Sequence, residues 1–207
     1  PDHRILLIDR APSFVVGAAK TWVMMGERRA EDVAQARSAL IPDGVGLVRE
    51  EVRRVNPDSR QVETDRNRYT PDHLVIALGA ELDMAAVPGL DPAAHTFYTL
   101  GGAERAREAL DRFTGGRLLL LIPRIPFACP PAPYEAAFLL HSWLEERGLR
   151  PSTELEVWTV EKGPMSTAGP EMSRFMSGEL KSRGIGYFPL RKTRAVDAAA
   201  RIIRFED

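Results

Sequence analysis

The sequence predicts an α/β protein in which most strands of the sheet run parallel. Two observations predict this fold class. Short apolar runs of strand length alternate along the chain with stretches whose apolar residues recur at helical spacing. The 207 residues are also 44% hydrophobic, which is enough for two small domains that each have a core. We therefore predict a three-layer protein with a first domain over 1–114 and a second over 115–207.

The first domain opens with an apolar run, Arg4 to Asp9, that is typical of a buried parallel strand. A strand of this kind needs neighbours on both sides, so a pairing element is expected to precede it. The other elements predicted here are a helix-like stretch within 26–40, a strand over 46–55, a short strand over 61–64, a strand over 73–80 and a helix over 103–113.

The second domain repeats the alternation with clearer boundaries, because glycines end its helices at Gly148 and Gly184. Its predicted elements are a buried strand over 117–123, a helix over 134–147, a strand over 154–160, a helix over 170–183, and short strands over 186–188 and 201–205. Strand, helix and strand in succession indicate parallel pairing with a helical crossover.

The composition argues against several classes of function. A net charge of −1 does not favour nucleic acid as a partner. No apolar run approaches the roughly 20 residues that span a bilayer, and the chain has no targeting segment at its start. The single cysteine, Cys129, excludes an internal disulfide, and the four histidines show no metal-ligand spacing, so no metal site is expected.

The residue that follows the first strand suggests a nucleotide-binding unit. In such units, a carboxylate at the end of the second strand bonds the ribose hydroxyls of a dinucleotide. Asp9 fits that position, although a plain strand-end turn residue explains it equally well. The glycine-rich turn that would cradle the pyrophosphate is not in this chain and is expected upstream of Pro1.

Residues 69–80, Tyr-Thr-Pro-Asp-His-Leu-Val-Ile-Ala-Leu-Gly-Ala, resemble the Y-D-x-L-V-I-A-T-G-A stretch of the FAD/NAD-linked reductase superfamily, with Leu78 in place of the usual Thr. A following Val87-Pro88-Gly89 also fits that superfamily. The resemblance implies two Rossmann-like domains that bind FAD and NAD(P), and small residues where the backbone approaches the flavin nucleotide. The candidate FAD-binding residues are Asp9, Arg10, Val52, Ala77, Leu78 and Gly79.

The turn after the strand at 117–123 departs from that superfamily. Pyridine-nucleotide reductases carry a second glycine-rich turn here, but residues 122–135 contain no glycine and five prolines. Each proline removes an amide donor, and amide donors hold a pyrophosphate. Binding of NAD(P) in the usual mode is therefore disfavoured, and Glu161, at the ribose-reading position after the next strand, is interpreted as a leftover position or a loop charge.

The same turn carries the most specific motif in the sequence. Residues 126–135, Pro-Phe-Ala-Cys-Pro-Pro-Ala-Pro-Tyr-Glu, resemble the P-F-x-C-P-P-x-P-Y-E segment of the flavoprotein subunit of flavocytochrome c sulfide dehydrogenase, and more loosely the sulfide:quinone oxidoreductases. In that family the cysteine lies near the flavin and forms a redox-active disulfide or persulfide with a second cysteine. Only the role of Cys129 carries over, since this chain has no second cysteine.

The alternatives at this turn stay open. A helix N-terminus favours the thiolate of a nearby cysteine, whereas a buried Cys129 would be an inert packing residue. Glu135 is either a proton relay or a first-turn carboxylate that stabilises its helix, and Tyr134 is expected to be a packing residue. Trp22 belongs to a W-x-x-x-G-x-x-x-x-x-D pattern of the same group and is expected in the core.

The resemblance implies FAD-dependent oxidation of sulfide or another small sulfur compound. The electron acceptor stays open between a cytochrome c subunit and a quinone, and so does a homo-oligomeric state. The location that follows is periplasmic or peripheral to a membrane. We expect the chain to be an internal fragment, inactive alone. The alternative functions are a non-catalytic nucleotide-binding-fold fragment and a type II NADH:quinone reductase-like enzyme.

Overall fold

A computed structural model describes residues 3–206, which form two compact units. Unit 1 comprises residues 3–17 and 29–82, and unit 2 comprises residues 18–28 and 83–206. This division differs from the predicted boundary at 114/115. The reason is that helix α1 (Ala19–Met25) packs on helix α4 (Leu100–Asp111), where the Arg107 guanidinium donates to the Met25 carbonyl at 2.6 Å.

Gly26 ends α1 in the left-handed conformation, with φ 78°, and its amide donates to the carbonyls of the last turn. This left-handed conformation favours glycine, and an added Cβ would also lie 2.1 Å from the Arg107 guanidinium, which would have to shift. Trp22 of the same motif is 50% exposed, so its expected place in the core is wrong.

Unit 1 is built from small separate sheets. Strand β1 (Ile5–Ile8) pairs in parallel with β4 (Val45–Val48), as a nucleotide-binding unit requires, but Ile5, Leu6 and Leu7 are exposed, so the prediction that this strand is buried is wrong. Its other elements are β2 (Ser13–Val15) antiparallel to β3 (Ala34–Ala36), helix α2 (Ala30–Val33), a 3-10 turn over Arg37–Leu40, and the antiparallel sheet of β5 (Val52–Asn56), β6 (Gln61–Thr64) and β7 (Arg68–Tyr69).

Two predictions in unit 1 need correction. The helix-like stretch within 26–40 contains only one helical turn, α2, followed by β3 and the 3-10 turn. The predicted strand over 46–55 is two strands, because the chain bends at 49–51. At this bend the buried Glu50 carboxylate accepts from Thr64 Oγ1 and Asn67 Nδ2, both at 2.6 Å, and from the Tyr69 hydroxyl at 3.0 Å.

The strand predicted over 73–80 is wrong as well: residues 74–83 form neither helix nor strand. Val75 is 87% exposed and Leu78 is 67% exposed. A strand exists only where its backbone N–H and C=O groups have a partner, and no strand of the described chain pairs with this segment. The apolar side chains of this segment therefore have no neighbouring strand against which to pack.

Unit 2 contains the parallel sheet that the sequence predicts. Strands β8 (Gly116–Ile122), β9 (Thr153–Thr159) and β10 (Gly186–Phe188) lie in the order β10-β9-β8, all parallel. The crossover helices are α5 (Ala132–Glu146) and α6 (Pro170–Ser182). The remaining elements are α3 (Leu90–Ala93), α4, and the antiparallel pair β11 (Thr193–Asp197) and β12 (Ile202–Phe205), of which β11 was not predicted.

The core of unit 2 lies between this sheet and its helices. Leu144 of α5, Leu155 and Val157 of β9, and Leu180 of α6 are almost completely enclosed. Because each crossover helix buries one apolar side against a parallel sheet, the α/β class with Rossmann-like units is confirmed. In the part of the chain that the structure describes, none of the helices is long and apolar enough to cross a bilayer.

Candidate functional site

Cys129 lies on the turn that joins β8 to α5, and its thiol is exposed. Its backbone is left-handed, with φ 50°, a conformation that is costly for a residue with a side chain. The Ala132 amide donates to the Cys129 carbonyl at 2.9 Å and closes the turn onto the first residue of α5. The exposure contradicts the interpretation of Cys129 as a buried, inert residue.

Tyr98 is a neighbour of Cys129 that the sequence did not indicate. Its hydroxyl oxygen is enclosed and has no hydrogen-bond partner among residues 3–206. Burial raises the pKa of Tyr98 to about 12, and the electrostatic interaction with Cys129 adds to the rise. The two residues lie far apart in the chain, so no spacing rule could have connected them.

Glu135 lies in the first turn of α5 with an exposed side chain, and its amide donates to the Pro131 carbonyl at 2.9 Å. A carboxylate in the first turn stabilises a helix through the helix dipole. The position of Glu135 therefore agrees with its interpretation as a carboxylate that stabilises α5, and its role as a proton relay stays a prediction.

Asp9 follows β1 directly and is held on two sides. Its Oδ1 accepts from the Ala11 amide at 2.8 Å, and its Oδ2 pairs with the Arg37 guanidinium at 2.5 Å. The side chain remains one-quarter exposed. A carboxylate fixed in this way at the end of a parallel strand is suited to accept hydrogen bonds from ribose hydroxyls.

Arg10 connects the predicted FAD-binding segments of unit 1. Its guanidinium pairs with Glu51, the residue before Val52, at 3.2 Å, and with Glu81, two residues after Gly79, at 2.9 Å. The hydrogen bond with Glu81, followed by the charge of Glu51, raises the pKa of Arg10. The structure thus brings Asp9, Arg10, Val52 and the segment around Gly79 to one end of the β1–β4 sheet.

Ala77, Leu78 and Gly79 lie in the segment that is not a strand, and all three are exposed. Gly79 has φ +75°, and an added Cβ would meet no atom within 4 Å. The conformation, rather than crowding in the chain itself, favours glycine at this position. Small side chains here leave the backbone open to a neighbouring group.

In unit 2, the carboxylate at the position that would read a nucleotide ribose is hydrogen-bonded to other side chains of the chain. Glu161 lies just after β9 and is only 3% exposed, so its interpretation as a loop charge is wrong. Its Oε2 accepts from the Tyr134 hydroxyl at 2.6 Å and from Thr159 Oγ1 at 3.2 Å. Tyr134 is 0% exposed, which confirms its prediction as a packing residue and adds a hydrogen bond.

Comparison with curated proteins finds relatives that act on sulfide. The chain is 30% identical over 142 residues to the mitochondrial sulfide:quinone oxidoreductase of Mus musculus, a match over 65% of this chain and 32% of that protein. It is 29% identical over 164 residues to the sulfide-quinone reductase of Aquifex aeolicus, covering 78% of this chain and 38% of that protein. No protein-family model matches the chain.

Solved structures give the same result at the level of the fold. The X-ray structure of the sulfide:quinone oxidoreductase from Aquifex aeolicus superposes with a TM-score of 0.83 at 26% identity, over 95% of this chain and 47% of that one. NDH2 from Plasmodium falciparum in complex with NADH superposes with a TM-score of 0.70 at 13% identity, over 95% of this chain and 45% of that one. The second likeness is one of fold alone.

The chain spans about a third of the length of the curated relatives that it matches. Within that span it carries the cysteine turn, the Asp9 strand and the parallel sheet of unit 2 described above. Sequence and structural matches agree with the resemblance of the Cys129 motif: over this span the chain is similar to sulfide:quinone oxidoreductases in sequence and in fold.

Proposed function

We propose that this protein oxidises sulfide with FAD as cofactor and passes the electrons to a quinone, with Cys129 as the residue that bonds the substrate sulfur. One observation carries the proposal. At the turn where dinucleotide-binding units present glycine amides, this chain presents an exposed thiol on a left-handed residue next to a helix start. The names of its relatives support sulfide as the substrate and a quinone as the acceptor.

The residues of unit 1 fit FAD. Asp9 would hold the ribose hydroxyls, and Ala77, Leu78 and Gly79 would allow the nucleotide close to the backbone. Arg10 holds the two flanking segments through Glu51 and Glu81, next to Val52 and Gly79. When bound, FAD supplies two-electron acceptance, and the protein supplies position and electrostatics.

In the proposed reaction, Cys129 begins in a disulfide with a second cysteine that is not part of this chain. Hydrosulfide attacks the Cys129 sulfur, a new sulfur–sulfur bond forms, and the second cysteine leaves as a thiolate. A second sulfur–sulfur bond, between that thiolate and the outer sulfur now carried by Cys129, releases one proton and two electrons, and FAD, when bound, would accept these electrons for transfer to the quinone. Glu135, exposed in the first turn of α5, is proposed to carry a proton at this site.

A quinone acceptor dissolves in lipid, so we place the protein at a membrane surface as a peripheral protein. This choice replaces the cytochrome c subunit and the periplasmic location as the first hypothesis, because the printed names of both relatives contain quinone. A homo-oligomer is compatible with either acceptor and is not used in the proposal.

The proposal is tested on the FAD-loaded protein expressed from its complete gene. Sulfide added without oxygen should bleach the visible flavin absorbance, and Cys129→Ser should abolish that bleaching while dithionite still reduces the flavin. The control is Ser142→Ala, a neutral change on α5 away from the turn. Bleaching by NADH and not by sulfide would instead select the NADH:quinone reductase alternative, and a protein that never holds flavin would select the non-catalytic fragment.

A further inference from the structure

A buried polar cluster lies behind the turn that carries Cys129, and the proposed reaction does not use it. Tyr134, Thr159 and Glu161 are each at most 3% exposed. Glu161 accepts from both hydroxyls, and its amide donates to Thr159 Oγ1 at 3.0 Å. Burial, then the hydrogen bond to Glu161, raises the pKa of Tyr134, so this residue stays a hydrogen-bond donor.

The place of Glu161 in the fold is informative. Strand β8, helix α5 and strand β9 form a βαβ unit, and a carboxylate just beyond the second strand of such a unit ordinarily binds the ribose of a dinucleotide. Here the Tyr134 hydroxyl takes the place of a ribose hydroxyl at 2.6 Å. The Glu161 carboxylate therefore accepts its hydrogen bond from a residue of this chain and not from a nucleotide.

Tyr134 belongs to the same short block as Cys129. It lies in the first turn of α5, where its amide donates to the Pro131 carbonyl at 3.1 Å. The Ala132 amide closes the turn on the Cys129 carbonyl. A left-handed backbone at a residue with a side chain persists only where the surrounding structure holds it, and the Tyr134–Glu161 bond fastens this turn to the end of β9.

We propose that the hydrogen bond from Tyr134 to Glu161 positions Cys129, so that a carboxylate at the nucleotide position serves as an anchor for the reactive turn. This role rests on the proposed function of Cys129, and both Tyr134 and Glu161 are positioning residues. The anchor keeps the Cys129 sulfur exposed beside the start of α5, where a reagent can reach it.

The test measures the rate at which iodoacetamide alkylates the 207-residue chain, in which Cys129 is the single thiol. Tyr134→Phe removes the donor and should slow alkylation about threefold or more, the effect of one lost hydrogen bond. Glu161→Leu should slow it similarly, whereas Glu161→Gln keeps an acceptor oxygen and should stay within about twofold of the parent rate.

A control separates positioning from general destabilisation. Leu144→Ala opens a cavity in the same helix, away from the turn, and should lower the free energy of unfolding without slowing alkylation of the folded chain. A parent-like rate in Tyr134→Phe, an equal loss in Glu161→Gln and Glu161→Leu, or an equal loss in Leu144→Ala would each overturn the proposal. The assay contains neither sulfide nor flavin, so its failure leaves the Cys129→Ser result standing.

Discussion

The left-handed backbone of Cys129 is the residue-level feature of the β8–α5 turn that the sequence did not predict. The motif predicts the residue, since seven of its nine neighbours in the block carry the family resemblance, but it does not predict the conformation. Propensity rules assign positive φ to glycine or asparagine. The hydrogen bond from the Ala132 amide that closes the turn onto α5 is visible only in three dimensions.

This conformation predicts a difference between two variants of Cys129. Relief of a strain of roughly 1–2 kcal/mol should outweigh the entropy cost of glycine, about 0.4–1 kcal/mol. Cys129→Gly should therefore unfold in urea with a free energy about 0.5–1 kcal/mol above that of Cys129→Ala.

Ala128 provides the matched control, because it is exposed, lies next to Cys129, and is not among the residues with positive φ. Ala128→Gly should therefore destabilise the chain. Equal stability of the two Cys129 variants would show that the turn does not hold the left-handed conformation in solution.

At the scale of elements, prediction succeeded where an element finds its partner nearby in the chain. Strands β8 and β9 with helix α5 form one continuous βαβ unit, and their predicted bounds agree with the structure within two residues. The segment 73–80 has an equally clear strand pattern and is not a strand. An apolar pattern indicates that a segment can form a strand when another strand lies beside it. The pattern does not indicate whether that other strand is present.

The antiparallel sheet of unit 1 gives an element-level prediction for pH. The hydrogen bond from Thr64, and those from Asn67 and Tyr69, lower the pKa of Glu50 below its usual 4.5 in the folded chain. Between the lowered pKa and 4.5, the unfolded chain binds more protons than the folded chain at this residue. The contribution of Glu50 to the free energy of unfolding is therefore fully present above pH 4.5 and is lost as the pH falls through the lowered pKa.

Urea unfolding of the parent and of Glu50→Gln, at a series of pH values from neutral into this range, checks the prediction. The Gln variant should lose stability at neutral pH and show a smaller further loss in acid. Glu63→Gln is the control, because Glu63 on the same sheet pairs with the exposed Arg68 at 2.8 Å. Parallel acid profiles for the parent and Glu50→Gln would contradict the assignment.

At the scale of the whole molecule, the uneven pairing of unit 1 predicts where a protease cuts first. Segment 74–83 has no strand or helix, and Leu78 and Leu82 in it are exposed. Brief treatment of the native chain with chymotrypsin should therefore cleave first after Leu78 or Leu82. Mass spectrometry of the first fragments identifies the site. First cuts inside β8 or α5 would show that the parallel sheet of unit 2 is the less stable part.

The path of the chain between the two units has a consequence for how such a protein changes over generations. The polypeptide leaves unit 1 after residue 17, adds α1 to unit 2, returns at residue 29 and departs again after residue 82. Exchange of unit 2 between relatives by recombination therefore requires crossovers around both 18–28 and 83, and a single crossover would leave α1 of one parent against α4 of the other. Descent with α1 and α4 inherited together is the expected pattern, and a chimaeric gene should move both stretches at once.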